Sequence, residues 1–555
     1  MKAKKIFALM LVVLMLAAVA ACGGGSDGAA PASGGGGGAA PASGGGAAPA
    51  SGGGGGGGDA GGGSSSGRDT LNIAIESDQG ILDPSNITAG IYVATQCLYE
   101  PLWDVDEDGN MIYVLMESYE EAAPDRWIVK LKQGVTFSNG NPFTCDDVIF
   151  SLEMWKGVGV NAVRVQSLDA ERTAKIDDYT LDMYMPDFYV FHKSAASMFM
   201  IYDHQTYNAE TIGLNPVGTG PYVVQEYVAN SHLFLERRDD YWGEMPDIQY
   251  LRFRVMAEPS QVVNALDTGA LDVGAIALAD YNYVSGLSNF TVNSRIVGGG
   301  VQIGINSGRH SFFNFYDDPV KALEARYAVK HAIDPQVIID LVYEGRGKVM
   351  HCMVPEFCFD MQPQFIDMHP TYSIGYNVEL AREYAQSSGL AGQTISIITN
   401  GLPREVTTAE IIQDFLKAID VTLEIQNFDP ATFNTMQYDP EATHDLRVGA
   451  GIAPNRRVGD LLVNGVRYSP ALSAPGAFPN NEYYLELAPK TVHTSDEPLR
   501  LQYLEELLFM YIDNALAFGL CEVETAMAIS NDIDMSSIVF SVCTGTIRYN
   551  DLKWA

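Results

Sequence analysis

WIVKLKQGVTFSNGNPFTCDDVIFSL, running from Trp127 to Leu152, is the stretch whose reading decides the fold. Trp127, Val129 and Leu131 alternate at the period of a strand, so that every second side chain faces the same way. Thr144, with Asp147 three residues on, is a capping-box arrangement that opens a helix. Val148, Leu152 and Trp155 then fall at i, i+4 and i+7, which puts them on one buried face.

The same two rhythms recur on both sides. Upstream, Leu71, Ile73 and Ile75 alternate as a strand. Downstream, Ser260 is expected to cap a short helix with Val263 and Leu266 inward and Gly269 at its end. Leu323 and Tyr327 lie one helical turn apart in a pattern that runs to Ile333. Asp334-Pro335 starts the next helix in cap-then-proline order, carrying Ile338 and Leu341 to Gly345. Thr394 to Asn400 alternates as a strand, Glu405 to Ile419 is helical with Ile411, Phe415 and Ile419 on one face, and Val421, Leu423 and Ile425 alternate again. That is a βαβ unit and implies a mainly parallel sheet with helices on its faces. Leu499 to Ile512 is a helix seamed by Leu504, Leu508 and Tyr511. The fold class is α/β: a mixed-sheet first lobe and an α/β second lobe.

Ahead of this body, Lys2, Lys4 and Lys5 precede an apolar run, Ile6 to Ala21, that ends in Val19-Ala20-Ala21-Cys22. This is the pattern of a secretory signal peptide, here 1–21, cut before a cysteine. It resembles the bacterial lipobox, in which that cysteine, Cys22, takes a diacylglyceryl thioether. Two chains hold a protein on a membrane where one would not. Residues 22–69 form the linker, with Ala29-Ala30-Pro31-Ala32-Ser33 recurring at Ala39–Ser43 and Ala47–Ser51 between glycine runs. It can bury no apolar surface, and as a coil it spans roughly 35–40 Å root-mean-square.

A net charge of −35 argues against nucleic acid or an anionic membrane surface as partner. No segment after the leader is apolar for long enough to span a bilayer. Seven cysteines are too few for a disulfide scaffold. Cys352 and Cys358 are close enough in sequence to pair, but burial as free thiols is the expectation for most of the six beyond Cys22.

Seven blocks in order resemble the extracellular solute-binding proteins of peptide and nickel ABC transporters, the large bi-lobed class called family 5. They are Leu71–Pro84 (LNIAIESDQGILDP), Leu98–Leu102 (LYEPL), the segment Trp127–Leu152, Asn215–Tyr222 (NPVGTGPY), Leu235–Trp242 (LERRDDYW), Ala265–Val273 (ALDTGALDV) and Ala328–Gly347 (AVKHAIDPQVIIDLVYEGRG). The resemblance implies a periplasmic-binding-protein-like fold with lobe I from 70–303 and again from 518–555, lobe II from 304–517, and a ligand cleft between them. Hinge closure would present a composite face to a membrane permease.

Signatures of catalysis are missing: the chain has no His-Glu-x-x-His, no Gly-x-Ser-x-Gly and no Cys-x-x-Cys. Gly218-Thr219-Gly220 is followed by Pro221 and reads as a tight turn, not a dinucleotide loop. Asp146-Asp147 and Asp239-Asp240 are sequence neighbours whose side chains diverge, so they do not suit joint acid–base work. No cofactor is expected. Met350-His351-Cys352-Met353 offers thioether, imidazole and thiol, which makes His351, Cys352 and Met353 weak candidates for a soft metal; a plain loop beside the cleft is the preferred reading.

By the family pattern, the segment between the LDP turn and LYEPL lines the cleft, and here it supplies Ile87, Tyr92 and Gln96. On the other wall, relatives carry a Gly-Trp-x-x-Asp-Tyr stretch whose aspartate takes a peptide's ammonium. This chain has Gly449-Ala450-Gly451-Ile452-Ala453-Pro454-Asn455 instead, followed by Arg456 and Arg457. Ile452, Asn455 and Arg456 are therefore the candidates there, and an α-ammonium anchor is in doubt. The expectation is a monomeric, lipid-tethered carrier at the outer face of the cell membrane that passes a peptide or similar small solute to ABC permease subunits. Alternatives are a nickel or other metal-chelate carrier, another non-peptide carrier, and a surface sensor or adhesin that reuses the fold.

Overall fold

The computed structural model describes residues 68–555 except 79–81, 87–91, 107–109, 158–164, 166, 186–189, 191–195, 351, 357, 359, 363–364, 366–374, 438, 440, 453–456, 460–461, 464–476 and 542–545. Among the described residues the strands form three sheets. β1 (Thr70–Ile75) opens the body, and β2 (Trp103–Val105) and β3 (Met111–Tyr113) pair as a small antiparallel ribbon. β4 (Met116–Ala123), β5 (Arg126–Leu131), β6 (Ala174–Asp177) and β7 (Thr180–Tyr184) make a second, antiparallel sheet in the order β4-β5-β7-β6.

The large sheet takes the remaining strands: β8 (Tyr222–Val228), β9 (His232–Arg237), β10 (Tyr250–Val255), β11 (Val273–Ile276), β12 (Phe290–Ile305), β13 (Gly347–Val349), β14 (Thr394–Thr399), β15 (Thr422–Asn427), β16 (Leu446–Ile452) and β17 (Ala517–Ser530). With β1, their order is β15-β14-β16-β12-β17-β11-β1-β10-β9-β8, and β13 pairs with β17 off this path. β1 runs parallel to β10, from Thr70 opposite Tyr250 to Ile75 opposite Val255. β14 and β15 are parallel, Thr394 opposite Thr422, which is the pairing that the βαβ reading requires.

Two strands carry the architecture. β12 and β17 pair antiparallel along nearly their whole length, and each leaves one hydrophobic core and enters another. On β12, Phe290 packs with Val262, Leu266 and Ala528, whereas Val301, Ile303 and Ile305 pack with Ile338, Ile397 and Val448. On β17, Phe518, Leu520 and Cys521 belong to the second group, and Ala526 and Ala528 to the first. Side chains on one continuous pair of strands thus serve two separate cores, and the fold is bi-lobed, with mixed sheets flanked by helices. The change of core coincides with slips of register between Ile296 and Gly300 and between Val301 and Gln302. Bulges of this kind bend a strand and increase its twist.

The helices follow from local rules. α1 (Tyr92–Leu98) follows the LDP turn, and α2 (Cys145–Gly157) begins where Thr144 Oγ1 and its backbone N–H both donate to Asp147 Oδ2, at 3.3 and 2.8 Å. Val148, Leu152 and Trp155 are buried on it as expected. α3 (Pro259–Asp267) corrects one expectation: Pro259 sits in its first turn after Glu258, so Ser260 is inside the helix, and Val262 with Leu266 faces the core. Proline at the first helical position sets φ in advance and displaces the cap by two residues. A short α4 (Tyr281–Ser285) follows.

α5 (Pro319–Ala332) buries Ala322, Ala325, Arg326, Ala328 and Val329, leaving Leu323 and Tyr327 half-buried at its margin. α6 (Pro335–Val342) starts as expected, with Asp334 accepting from the Gln336 amide, but Ile339 joins Ile338 in the core while Leu341 is 65 % exposed. α7 (Val378–Ser388) packs on α5, and α8 (Pro403–Lys417) turns Thr408, Ala409, Ile412 and Leu416 inward, with Ile411 and Phe415 half-buried. In α8 the inward stripe lies one residue round from the sequence reading, whereas in α6 Ile338 is buried as expected and only Leu341 departs from it. α9 (Glu497–Asp513) buries Leu504, Leu508 and Tyr511 as read. Among the described residues no helix is long and apolar enough to cross a membrane.

Candidate ligand-binding site

The turn ahead of the first candidate segment is held by a buried network. Asp83, 4 % exposed, accepts from the Ser85 amide and hydroxyl, each at 3.0 Å, and from the Tyr202 hydroxyl. Burial and the Asp83 charge push the Tyr202 phenol far above its ordinary range, which keeps it a donor. This network fixes Pro84–Asn86, one turn of 3-10 helix, at the mouth of the segment that contains Ile87. Ile87 itself lies outside the described residues, and Tyr92 is described only as the first residue of α1.

Gln96 lines a cavity of about 60 Å³ together with Asp104, Arg548 and Asn550. Its backbone carbonyl accepts from Asn550 Nδ2 at 2.9 Å, while Gln96 Oε1 and Asn550 Oδ1 are buried with no partner among the described residues. At roughly 30 Å³ per water, the space suits ordered water more than a solute. Beside it, Glu100 accepts from the Tyr241 hydroxyl at 2.6 Å and from Trp242 Nε1 at 3.0 Å, and burial raises its pKa despite these bonds. The turn Gly218-Thr219-Gly220 packs against the end of α1 so closely that a Cβ at Gly218 would lie 2.1 Å from the Leu98 carbonyl oxygen. That close approach is the reason for glycine there.

The second candidate segment is the end of β16. Gly449 to Ile452 pair with β12 from Gln302 back to Gly299, at the register slip. β14 reaches β16 only at Leu446 and Arg447. Among the described residues, the β16 edge from Val448 to Ile452 that faces away from β12 therefore pairs with no strand. Asn455 and Arg456 lie outside the described residues. Burial lowers the pKa of Arg457, and its electrostatic neighbours include Asp360, Arg500 and Glu497. Arg500 and Asp360 form a pair at 3.0 Å with side chains 0 % and 1 % exposed, Glu497 adds two bonds to the same guanidinium, and Asp360 accepts from the Val458 amide at 2.7 Å. This network anchors the chain just beyond the β16 wall, and no sequence signal announced it.

Where the lobes meet, Arg346 of the second lobe lies 3.2 Å over the Tyr281 ring of the first and 3.5 Å from Glu524 on β17. Glu524 also accepts from the Ser294 hydroxyl on β12. Both crossing strands and both lobes are thus tied at one point.

Met350, Cys352 and Met353 line a separate cavity in the second lobe; His351 is outside the described residues. The Cys352 thiol is held by Val354, accepting from its amide and donating to its carbonyl, and Cys352 and Cys358 are both buried thiols, not joined in a disulfide. Lys330 shares the wall, and an ammonium there disfavours a metal cation. The described residues bring one potential ligand cluster together, Asp147, Asp203 and His204. Its carboxylates are occupied: Asp147 binds Thr144 and His204, and Asp203 binds Asn139, Asn141, Gln205 and Thr206. These bonds lock the NPFTCDD turn and are structural.

Residues 110–454 match the model of bacterial extracellular solute-binding proteins, family 5 middle. The chain belongs to this family. This solute-binding protein is 23 % identical over 401 residues to the nickel-binding periplasmic protein of Escherichia coli K12, covering 67 % of this chain and 73 % of that one. Its fold is similar to NikA from Brucella suis in complex with Fe(III)-EDTA (TM-score 0.76, 19 % identity, 88 % of this chain and 100 % of that). It is also similar to AppA from Bacillus subtilis in complex with a nonapeptide (TM-score 0.69, 17 % identity, 88 % and 99 %). Membership places its work outside the cytoplasm, as an extracellular or periplasmic solute binder.

Proposed function

We propose that this solute-binding protein captures a peptide between its lobes and hands it to the permease of an ABC transporter, while a lipid on Cys22 and the linker over 22–69 tether it at the outer face of the membrane. Lobe I is assigned to 70–303 and 518–555 and lobe II to 304–517. The observation that carries the peptide is the open edge of β16 from Val448 to Ile452. An extended backbone docks on such an edge by main-chain hydrogen bonds, with side chains left to pockets. Gly449 and Gly451 remove the side chains that would keep a ligand backbone away. Ile87, Tyr92, Gln96, Ile452, Asn455 and Arg456 are the proposed contacts, with Gln96 acting through the cavity it lines.

Capture needs no chemistry on the ligand: binding energy is spent on closing the lobes, which distinguishes loaded from empty protein. A nickel-chelate cargo is the second reading, supported by similarity to the nickel-binding protein of E. coli. Native mass spectrometry of protein gently purified from its own cells, followed by denaturation, decides between them. Released peptides are the expected result; release of a metal chelate alone, or no released solute, overturns the peptide reading.

A further inference from the structure

On β12, Val301, Ile303 and Ile305 point into the core of the second lobe, and on β16 Leu446 and Val448 do the same. Side chains alternate along a strand, so the other face carries Gly300, Gln302 and Gly304, paired with Gly451, Gly449 and Arg447 in turn. Four of these six positions are glycine, which leaves Gln302 and Arg447 as the side chains that stand there. Gln302 is flanked by Gly449 on β16 and Gly519 on β17. It is 5 % exposed, yet its Oε1 has no partner among the described residues. A buried carbonyl left unpaired is unfavourable, so this oxygen calls for a donor. Arg447 is half-buried and lies back across β12: a Cβ at Gly304 would stand 2.5 Å from its Nε and 2.8 Å from its Cζ. Among the described residues its guanidinium makes no ion pair and no hydrogen bond. The groups it acts on electrostatically are His444, which burial keeps neutral, and the Tyr511 phenol, pushed up to about 12 by burial and so still a donor. Asp445, two residues away, is taken up by the Phe312 and Ser396 amides.

We propose that Arg447 and Gln302 anchor the C-terminal residue of the peptide ligand: the guanidinium takes its carboxylate, and Gln302 Oε1 accepts its amide N–H. A guanidinium matches a carboxylate with two parallel charge-assisted hydrogen bonds. An ammonium would also satisfy Gln302 Oε1, but it would stand beside a guanidinium that repels it. Gly449 separates Gln302 from the open edge of β16, and glycine there lets a ligand backbone come close. A Cβ at Gly449 would lie 3.6 Å from the Phe433 ring, which therefore offers apolar contact to the ligand's last side chain. β14 leaves β16 at Arg447, so the ligand's C-terminal end lies toward β14 and its chain runs antiparallel to β16. Selection by the carboxylate suits a segment that lacks the aspartate expected to take a peptide's ammonium.

The anchor rests on a peptide lying along the β16 edge, and the test separates the two. Full-length protein stripped of bound solute is equilibrated with degenerate tetrapeptide pools, as free acids, C-terminal amides and N-acetylated acids. Retained peptides are measured by mass spectrometry after ultrafiltration. Free and N-acetylated acids are expected to be retained, and the amides about tenfold less. Arg447→Met should lower retention of the acids about tenfold and erase their preference over amides, and Arg447→Lys should restore part of it. Gln302→Leu should weaken retention about fivefold and keep the preference. Amides retained as well as acids, or a preference unchanged in Arg447→Met, overturns the anchor and leaves the peptide reading standing. Retention lost on acetylation and kept on amidation overturns the anchor in favour of one at the ammonium. No retention from any pool overturns the peptide reading and the anchor with it. Should Arg447→Met fail to fold, the contrast of acids with amides on the unaltered chain still decides.

Discussion

Replacing Arg500 by Met isolates the buried network that holds the chain beyond the β16 wall. Arg500 is fully buried, pairs with Asp360 at 3.0 Å, and donates two bonds to Glu497. Methionine fills much of the same volume but leaves the Asp360 carboxylate, 1 % exposed, with the Val458 amide and the neighbouring Arg457. Breaking a buried pair from one side costs about 3–5 kcal/mol, because a charge is left without its partner. Arg457 is near enough to take up part of that charge, so the lower end, about 3 kcal/mol, is expected. For a lobe of this size that lowers melting by roughly 6–12 °C. The double change Asp360→Leu with Arg500→Met removes both charges and should recover most of the loss, since an apolar pair of similar volume is often neutral. Thermal unfolding of wild type, the single and the double variant measures this. A single variant that loses less than about 1 kcal/mol, or a double variant no more stable than the single, refutes the network as the anchor of this segment.

Three further outcomes follow from the same coordinates. A Cβ at Gly519 would stand 1.9 Å from the Cys352 carbonyl oxygen, so Gly519→Ala should destabilise by ~1–3 kcal/mol in urea unfolding, and an unchanged midpoint would contradict the close approach. Burial, aided by Arg447, lowers His444 to about 4. The fold thus favours the neutral ring: its contribution is full above pH 6.5 and is lost as pH falls from 6.5 towards 4, by roughly 3 kcal/mol in all. His444→Gln should flatten that part of the stability profile, and parallel profiles for variant and wild type would rule the group out. Arg346→Met removes the contact with Tyr281 and the Glu524 pair, worth about 1–2 kcal/mol, and should shift the balance of lobe arrangements roughly five- to thirtyfold, as read by fluorescence transfer between labels on the two lobes.

Much of this fold is legible in the sequence because local rules and global packing agree. Thr144 and Asp147 cap α2, and Leu504, Leu508 and Tyr511 seam α9, where the sequence pattern puts them. The βαβ unit over β14, α8 and β15 follows from period alone. The stripe of α8 lies one residue from the sequence reading, and Leu341 of α6 faces out, because aliphatic side chains line two adjacent faces and only the sheet beneath decides which is buried. Pro259 outranked Ser260 because proline at the first turn is as strong a signal as a capping hydroxyl. β12 and β17 have no clean alternation, since each changes core midway, and only the resemblance indicated the crossing. Arg326 and Arg500 were invisible for a different reason: nothing in a helix pattern distinguishes a solvated arginine from one that is 0 % exposed and satisfied by carbonyls or a carboxylate. On the ligand side, the sequence indicated the β16 segment, but its open edge is a property of pairing and needs the structure.

The central claim is that two lobes on β12 and β17 shut over a peptide, and small-angle X-ray scattering of the full chain with and without a pool of short peptides tests it most directly. The account predicts a smaller radius of gyration with peptides present, reversed when they are removed. A profile that stays unchanged at saturating peptide, in protein first stripped of bound solute, contradicts it.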